Sequence, residues 1–299
     1  MRKVFTALVM LIILLAGCHP SGGENDGKQE PMITVSIQPQ KYFVEQIAGG
    51  HFQVQLMIPP GASPVTYDPS PGQMQELERS KGYIRIGYIV FEKVWMDKIQ
   101  SVNPDLRIID QSKGVDLIRR DTHGRDEIQG VDPHIWTSPR EVKTQVKNIR
   151  NFLISLDSTH RQTYRENTRH LLARIDSLDA FIAGNLSGLE QTDFLIFHPA
   201  LSYFARDYDL NQIALEHQGK EPTPARIRQV VDRSDASSIR AVFIQEQFST
   251  DEARAIAREL GADVVRVDPL AYDWLENMRK MSGAIARALS EGSNNGKKE

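Results

Sequence analysis

Cysteine is almost missing from this 299-residue chain: one occurs, Cys18, and none follows it. Disulfides and cysteine-based metal sites are therefore excluded from whatever folds beyond position 18. A surplus of positive charge is missing too. The net charge is −3, and no basic stripe with interleaved aromatics occurs, which argues against nucleic acid as the main partner. Neither HExxH nor GxSxG is present, so compact hydrolase signatures are absent. Long apolar runs are confined to Val4–Ala16, short of the roughly 20 residues that a spanning helix needs. The remaining composition, 40% hydrophobic and 25% charged, is that of an ordinary globular protein.

Arg2 and Lys3 precede the apolar run, and small residues close it at Leu15-Ala16-Gly17-Cys18. A basic start, an apolar stretch and a small-residue end make a secretory signal. The ending resembles the lipobox of bacterial lipoproteins, which implies cleavage before Cys18 and lipid on that cysteine. Residues 19–30, HPSGGENDGKQE, are polar and glycine-rich and read as a flexible tether.

From Met32 onward, strand and helix patterns alternate. Strands are expected at 33–37, 52–58, 83–88 and 106–110, with helices at 40–48, 71–81 and 91–100 between them. Two long amphipathic stretches follow without a strand. The first, expected from Pro139 to Leu156, carries Val142, Val146, Ile149, Leu153 and Leu156; the second carries Tyr164, Leu171, Ile175, Leu178 and Ile182. Alternation then resumes, with strands at 193–197, 241–245 and 263–267 and helices at 199–206, 224–233, 250–260 and 272–289. Such alternation implies parallel sheets covered on both faces. The expected architecture is α/β: two parallel-sheet lobes bridged by one long α-helix. The expected segments are a signal at 1–17, a tether at 18–31, an N-terminal lobe at 32–157, a bridging helix at 158–190, a C-terminal lobe at 191–290 and a disordered tail at 291–299. No internal repeat is visible in the sequence.

Open α/β sheets bind ligands at the carboxyl ends of their strands. His198 ends the strand FLIF, Glu246 follows AVFIQ, and Asp268 follows VVRV; His134 stands in VDPHIWTSP just before a long helix. Two histidines and a carboxylate at separate element ends make a plausible metal set. Each also has a plain alternative: His134 as a helix cap, Asp268 as a turn residue, Glu246 as an ion-pair partner. His51, His160 and His170 lie in polar or helical settings that suit solvated side chains, while His123 and His217 sit in loops.

Six segments stand in order along the chain: GASPVTYDPSPGQ, VDPHIWTSP, FHPALSYFARDYDL, GKEPTPARI, FIQEQFST and VDPLAYDWLENM. Together they resemble the zinc/manganese-binding lipoproteins of bacterial ABC importers, the ZnuA/TroA family. The resemblance implies a metal cleft between the two lobes and a monomeric, lipid-anchored protein of the cell envelope, facing the periplasm or exterior. It implies a permease of a metal importer as partner, and zinc or manganese as cargo rather than as a catalytic cofactor. Matched residue by residue, His134, His198 and Asp268 are family ligands. A histidine at the place of His198 goes with zinc and a glutamate with manganese, so zinc is favoured. The long acid- and histidine-rich loop of family zinc binders is short here: RRDTHGRDEIQG, with His123 alone.

The family's first ligand is the histidine of GAS-x-H-x-Y. Here that place is Val65. Three readings follow: metal bound by His134, His198 and Asp268 with an open fourth position; a substitute ligand drawn from Tyr67, Asp68, Glu92 and Glu246; or a lost or changed cargo. Three functions stay open: a metal carrier without enzymatic activity, a zinc hydrolase that uses the open coordination position with Glu246 as base, and an interaction protein that kept the fold and lost its cargo.

Overall fold

The computed structural model describes residues 30–119, 130–216, 241–248 and 250–290, together with 223, 228 and 239. The signal, most of the tether, most of the segment 119–130, the expected helix at 224–233, His123, His217 and the tail fall outside these residues, apart from Arg228 and a few at the segment ends. Pro31–Glu299 forms one compact unit. Among the described residues, no helix is long and apolar enough to cross a membrane.

Strands β1 (Met32–Val35), β2 (Gln53–Leu56), β3 (Ser80–Arg85) and β4 (Arg107–Asp110) alternate with helices α1 (Gln38–Ala48), α2 (Pro71–Leu77) and α3 (Val90–Val102). They form a parallel sheet in the order β2-β1-β3-β4. After α4 (Pro139–Leu156) and α5 (Arg161–Leu186), the second sheet is built from β5 (Asp193–Ile196), β6 (Asn211–Ala214), β7 (Ala241–Gln245) and β8 (Asp263–Val267). Its order, β6-β5-β7-β8, again all parallel, repeats that of the first. The repeat is topological and left no mark in the sequence, because sheet order fixes only where side chains are buried. The short helix α6 (Ser202–Asp207) and the longer α7 (Thr250–Leu260) and α8 (Trp274–Ser290) complete the second lobe.

Helix boundaries follow local chemistry. Ser138 caps α4 by accepting from Glu141 N at 2.9 Å, and Pro139 occupies the first helical position. Ser70 and Pro71 open α2 in the same way. The 26 residues of α5 span roughly 39 Å at 1.5 Å per residue. Its buried face, Tyr164, Leu171, Ile175, Leu178 and Ile182, packs on α1 and α4 of the first lobe and on α8 of the second. Gly82 in β3 lets α4 approach closely, since a Cβ there would lie 2.5 Å from Phe152 Cζ.

The two sheets share a core. Phe194 and Ile196 of β5 and Phe243 of β7 join the cluster that holds Phe43, Trp136 and Ile84, while the alternate residues Leu195, Val242 and Ile244 face a separate cluster under α7. This is period-2 burial on both faces of a parallel sheet.

One expectation missed an element. NQIA, strand β6, is only four residues long and polar at its start, so neither alternation nor an apolar run announces it.

Candidate metal centre

In a sheet ordered 2-1-3-4, the strand order reverses beside the first strand, and the crevice opens at the carboxyl ends there. In the second lobe this point lies between β5 and β7. His198 stands two residues past β5, and Gln245, the last residue of β7, clamps its backbone. Gln245 Oε1 accepts from His198 N at 3.2 Å, and its Nε2 donates to His198 O at 2.6 Å. The Phe248 ring stacks on the imidazole at 5.3 Å between centroids.

The equivalent crevice of the first lobe is filled. Gln40 Oε1 accepts from Ser36 N and Ile37 N, and its Nε2 donates to Ile84 O. Glu92, at the start of α3, accepts from Ser36 Oγ and, at 2.7 Å each, from Ile86 N and Gly87 N. Gly87 has φ 109°, a conformation that favours glycine. Glu92 is thus packed into the first lobe's polar network. Burial pushes its carboxyl up to about 7, against the pull of the Ser36, Gly87 and Ile86 donors. The folded value lies above the ordinary 4.5, so between those values the folded protein keeps a proton that the unfolded chain has lost. The contribution of Glu92 to stability is then full in acid and is lost as pH rises through about 7. The melting temperature of the metal-free protein should fall between pH 5 and 7.5 more steeply than that of Glu92→Gln. Parallel profiles would contradict this placement of the charge.

His134 comes from the other side. Asp132, in the turn before α4, accepts from both His134 N, at 3.0 Å, and His134 Nδ1, at 2.8 Å. An aspartate bonding the backbone two residues on is an Asx turn, and Pro133 between them fixes it. Burial raises the Asp132 carboxyl, but the charge and hydrogen bonds of His134 outweigh it and hold the group well below the usual carboxylate range. Tyr203 of α6 donates to Asp132 O at 2.8 Å, tying the turn to the second lobe.

His134 Nε2 and His198 Nε2 lie 3.3 Å apart. On the opposite edge of each ring, Nδ1 meets a carboxylate: Asp132 Oδ1 at 2.8 Å and Glu216 Oε2 at 2.7 Å. A carboxylate is an acceptor, so each Nδ1 carries a hydrogen, and a neutral ring then presents its lone pair at Nε2. The two Nε2 atoms thus face each other across 3.3 Å, close enough to share a proton or a cation. An ion about 2.05 Å from both nitrogens would subtend roughly 107° at that separation, close to the tetrahedral angle of zinc.

Of the residues picked from the sequence, the structure brings His134 and His198 together. Asp268 directly follows β8, and its Oδ1 accepts from Leu270 N at 3.0 Å and from Gln247 Nε2 at 3.2 Å. Among the described residues, no three or more His, Cys, Asp or Glu side chains converge to hold a metal ion. Glu246 and Asp68 are exposed, and the Tyr67 hydroxyl donates to Gln73 at 2.8 Å. Val65 is 47% exposed, in a loop built by Tyr67 N to Ser63 O and pinned to α3 by Phe91 N to Pro64 O. None of those bonds uses the side chain at 65, so the loop keeps its form with valine there. Sequence reasoning missed Asp132 and Glu216. Asp132 could have been found from the Asp-Pro-His spacing. Glu216 could not, because it follows the unannounced strand β6.

Further contacts join the two lobes. Trp136 Nε1 donates to Pro269 O at 2.8 Å, Trp274 Nε1 to Trp136 O at 2.7 Å, and Gln38 Nε2 to Leu270 O at 3.1 Å. Arg206 of α6 bonds Glu141 of α4 at 2.7 Å.

Comparison with known families finds one whose description is ZnuA, zinc-uptake complex component A, periplasmic, matching residues 33–288. The chain belongs to the ZnuA family. A crystal structure of ZnuA superposes with a TM-score of 0.81 at 38% identity, covering 87% of this chain and 99% of that one. A ZnuA deletion mutant with zinc bound gives the same score and identity, covering 87% of this chain and 98% of that one. The high-affinity zinc uptake system protein ZnuA of Bacillus subtilis is 23% identical, over 86% of this chain and 84% of its own length. The manganese-binding lipoprotein MntA of Halalkalibacterium halodurans is 25% identical, over 88% of each chain. The solved ZnuA structures agree with the two-lobe, parallel-sheet architecture.

Proposed function

We propose that this chain is an extracytoplasmic carrier that captures a divalent metal, zinc in preference to manganese, and delivers it to the permease of an ABC importer. The observation that carries this reading is the pair of Nε2 atoms 3.3 Å apart, each ring backed by a carboxylate. Imidazole nitrogen suits zinc better than manganese, which prefers oxygen. Membership of a family described by zinc uptake supports the same choice. Capture and release involve no bond-making in the cargo, so the reading is of a binding protein rather than an enzyme.

In this proposal His134 and His198 hold the ion, and Asp268 supplies a third ligand through its second oxygen. Water takes the fourth position, because Val65 offers no donor atom. Cys18 carries lipid, and the residues after it tether the folded unit to the cell envelope. The many contacts between the lobes favour local adjustment of the 268–270 turn over a wide hinge motion.

Titration of the metal-free protein with zinc and manganese, each followed by thermal midpoint, tests the reading. Zinc should raise the midpoint more than manganese at equal concentration. No rise with either metal would favour a changed cargo, the reading to which the exposed Val65 points. Val65→His is the converse test. If its loop faces the cleft, an added imidazole should tighten zinc binding about tenfold or more, roughly 1.4 kcal/mol. An unchanged affinity would place the loop outside the ion's reach.

A further inference from the structure

We infer that Glu216 is a positioning residue for metal capture, fixing the His198 ring so that its Nε2 faces His134. The inference rests on the carrier reading above for its consequence, but its geometry stands alone. Glu216 stands two residues past β6, where its own N donates to Phe197 O at 2.9 Å. Its side chain is 7% exposed, and Oε2 lies 2.7 Å from His198 Nδ1. A nearly buried carboxylate is costly unless it meets a donor or a charge, and here it meets the imidazole. The backbone of His198 is held separately by Gln245. Gln245 fixes where the ring is rooted. Glu216 fixes which of its nitrogens carries hydrogen and which faces the crevice.

The arrangement matches that of His134, where Asp132 does the same task. There the orienting carboxylate is two residues away and comes with the turn. For His198 it is 18 residues away and arrives only when β6 pairs with β5. Together the two carboxylates place negative charge behind the two rings, which suits a divalent cation. A carboxylate at Nδ1 also raises the basicity of Nε2, and the loss of such a partner weakens metal binding by about 10–100-fold in comparable sites. Because the gain is delivered through nitrogen, it favours zinc over manganese. Glu216 therefore contributes to selectivity as well as to affinity.

The test uses two variants, Glu216→Ala and Glu216→Gln, and two measurements. Two-bond 1H–15N correlation spectra of the metal-free protein report the His198 tautomer, assigned by comparison with His198→Ala. Zinc and manganese affinities are measured by competition with a chromophoric chelator. In the parent protein His198 should carry its hydrogen on Nδ1. In Glu216→Ala the ring should shift towards the Nε2–H form, zinc affinity should fall about tenfold or more, and manganese affinity should fall less. Glu216→Gln keeps an acceptor and a similar volume, so the tautomer should persist while the loss of charge still weakens zinc at least about threefold. An unshifted tautomer in Glu216→Ala overturns the inference whatever the affinities. If that variant does not fold, parental zinc affinity in Glu216→Gln overturns it. Should the parent protein bind no zinc, the carrier reading fails, and the tautomer of the metal-free protein still decides the role of Glu216.

Discussion

His198→Ala should abolish most of the zinc-dependent rise in thermal midpoint. A ligand present at about 1,000 times its dissociation constant stabilises the folded state by roughly 4 kcal/mol. For a unit of this size that is a rise on the order of 10 °C. Removing one of two imidazoles whose Nε2 atoms lie 3.3 Å apart leaves the ion a single nitrogen. The metal-free midpoint should fall only modestly: the nearly buried Glu216 carboxylate loses its imidazole partner, but the backbone bonds to Gln245 do not involve the ring. His134→Ala should behave alike, although it also removes the partner that holds down the Asp132 carboxyl, so some intrinsic stability should go with it. A full zinc response in His198→Ala would sink the site assignment. A zinc response that is absent in the parent protein would instead point to changed cargo.

Trp274→Ala should be the most destabilising single change, independent of any metal. Trp274 is fully buried, packs edge-on against Phe43 at 5.1 Å, and donates to Trp136 O at 2.7 Å. Phe43 belongs to the first lobe and Trp274 to the second, so the indole fills the seam between them. Truncating a buried tryptophan costs about 3–5 kcal/mol, and a buried carbonyl left without its donor adds about 1–3 kcal/mol to that class of loss. The metal-free midpoint should drop on the order of 10 °C. Trp274→Phe retains part of the volume and loses the N–H, so it should fall between. Zinc affinity should weaken in both, because Trp136 stands two residues after His134. A change under about 1 kcal/mol by urea unfolding would show that the seam is not the shared core described above.

How much of this was legible in the residues alone can be judged from particular elements. The helix from Pro139 to Leu156 was expected with its observed ends, since a Ser-Pro start and a strong apolar stripe act locally. The strands 241–245 and 263–267 were legible for a similar reason: short apolar runs bounded by polar residues are buried wherever the chain takes them. Strand β3 begins three residues before its expected start because Ser80 and Lys81 look like the tail of a helix, and pairing with β1 overrides that local preference. Strand β6 was not legible, since its four residues lack a pattern and it exists by pairing with β5.

The candidate site divides along the same line. The sequence by itself determined the alternation of elements, the position of His134 behind an Asx turn, and the placement of His198 at the end of an apolar strand. These depend on residues within a few positions of each other. Tertiary structure decided that the two imidazoles meet at 3.3 Å, and that Glu92 is enclosed in the first lobe. It also decided that Glu216, just past a strand too short to announce itself, stands behind His198. The physical reason is range. Capping, turn formation and periodic burial act over a few residues, whereas strand pairing and the shared core bring together groups that the chain separates by tens of residues or more.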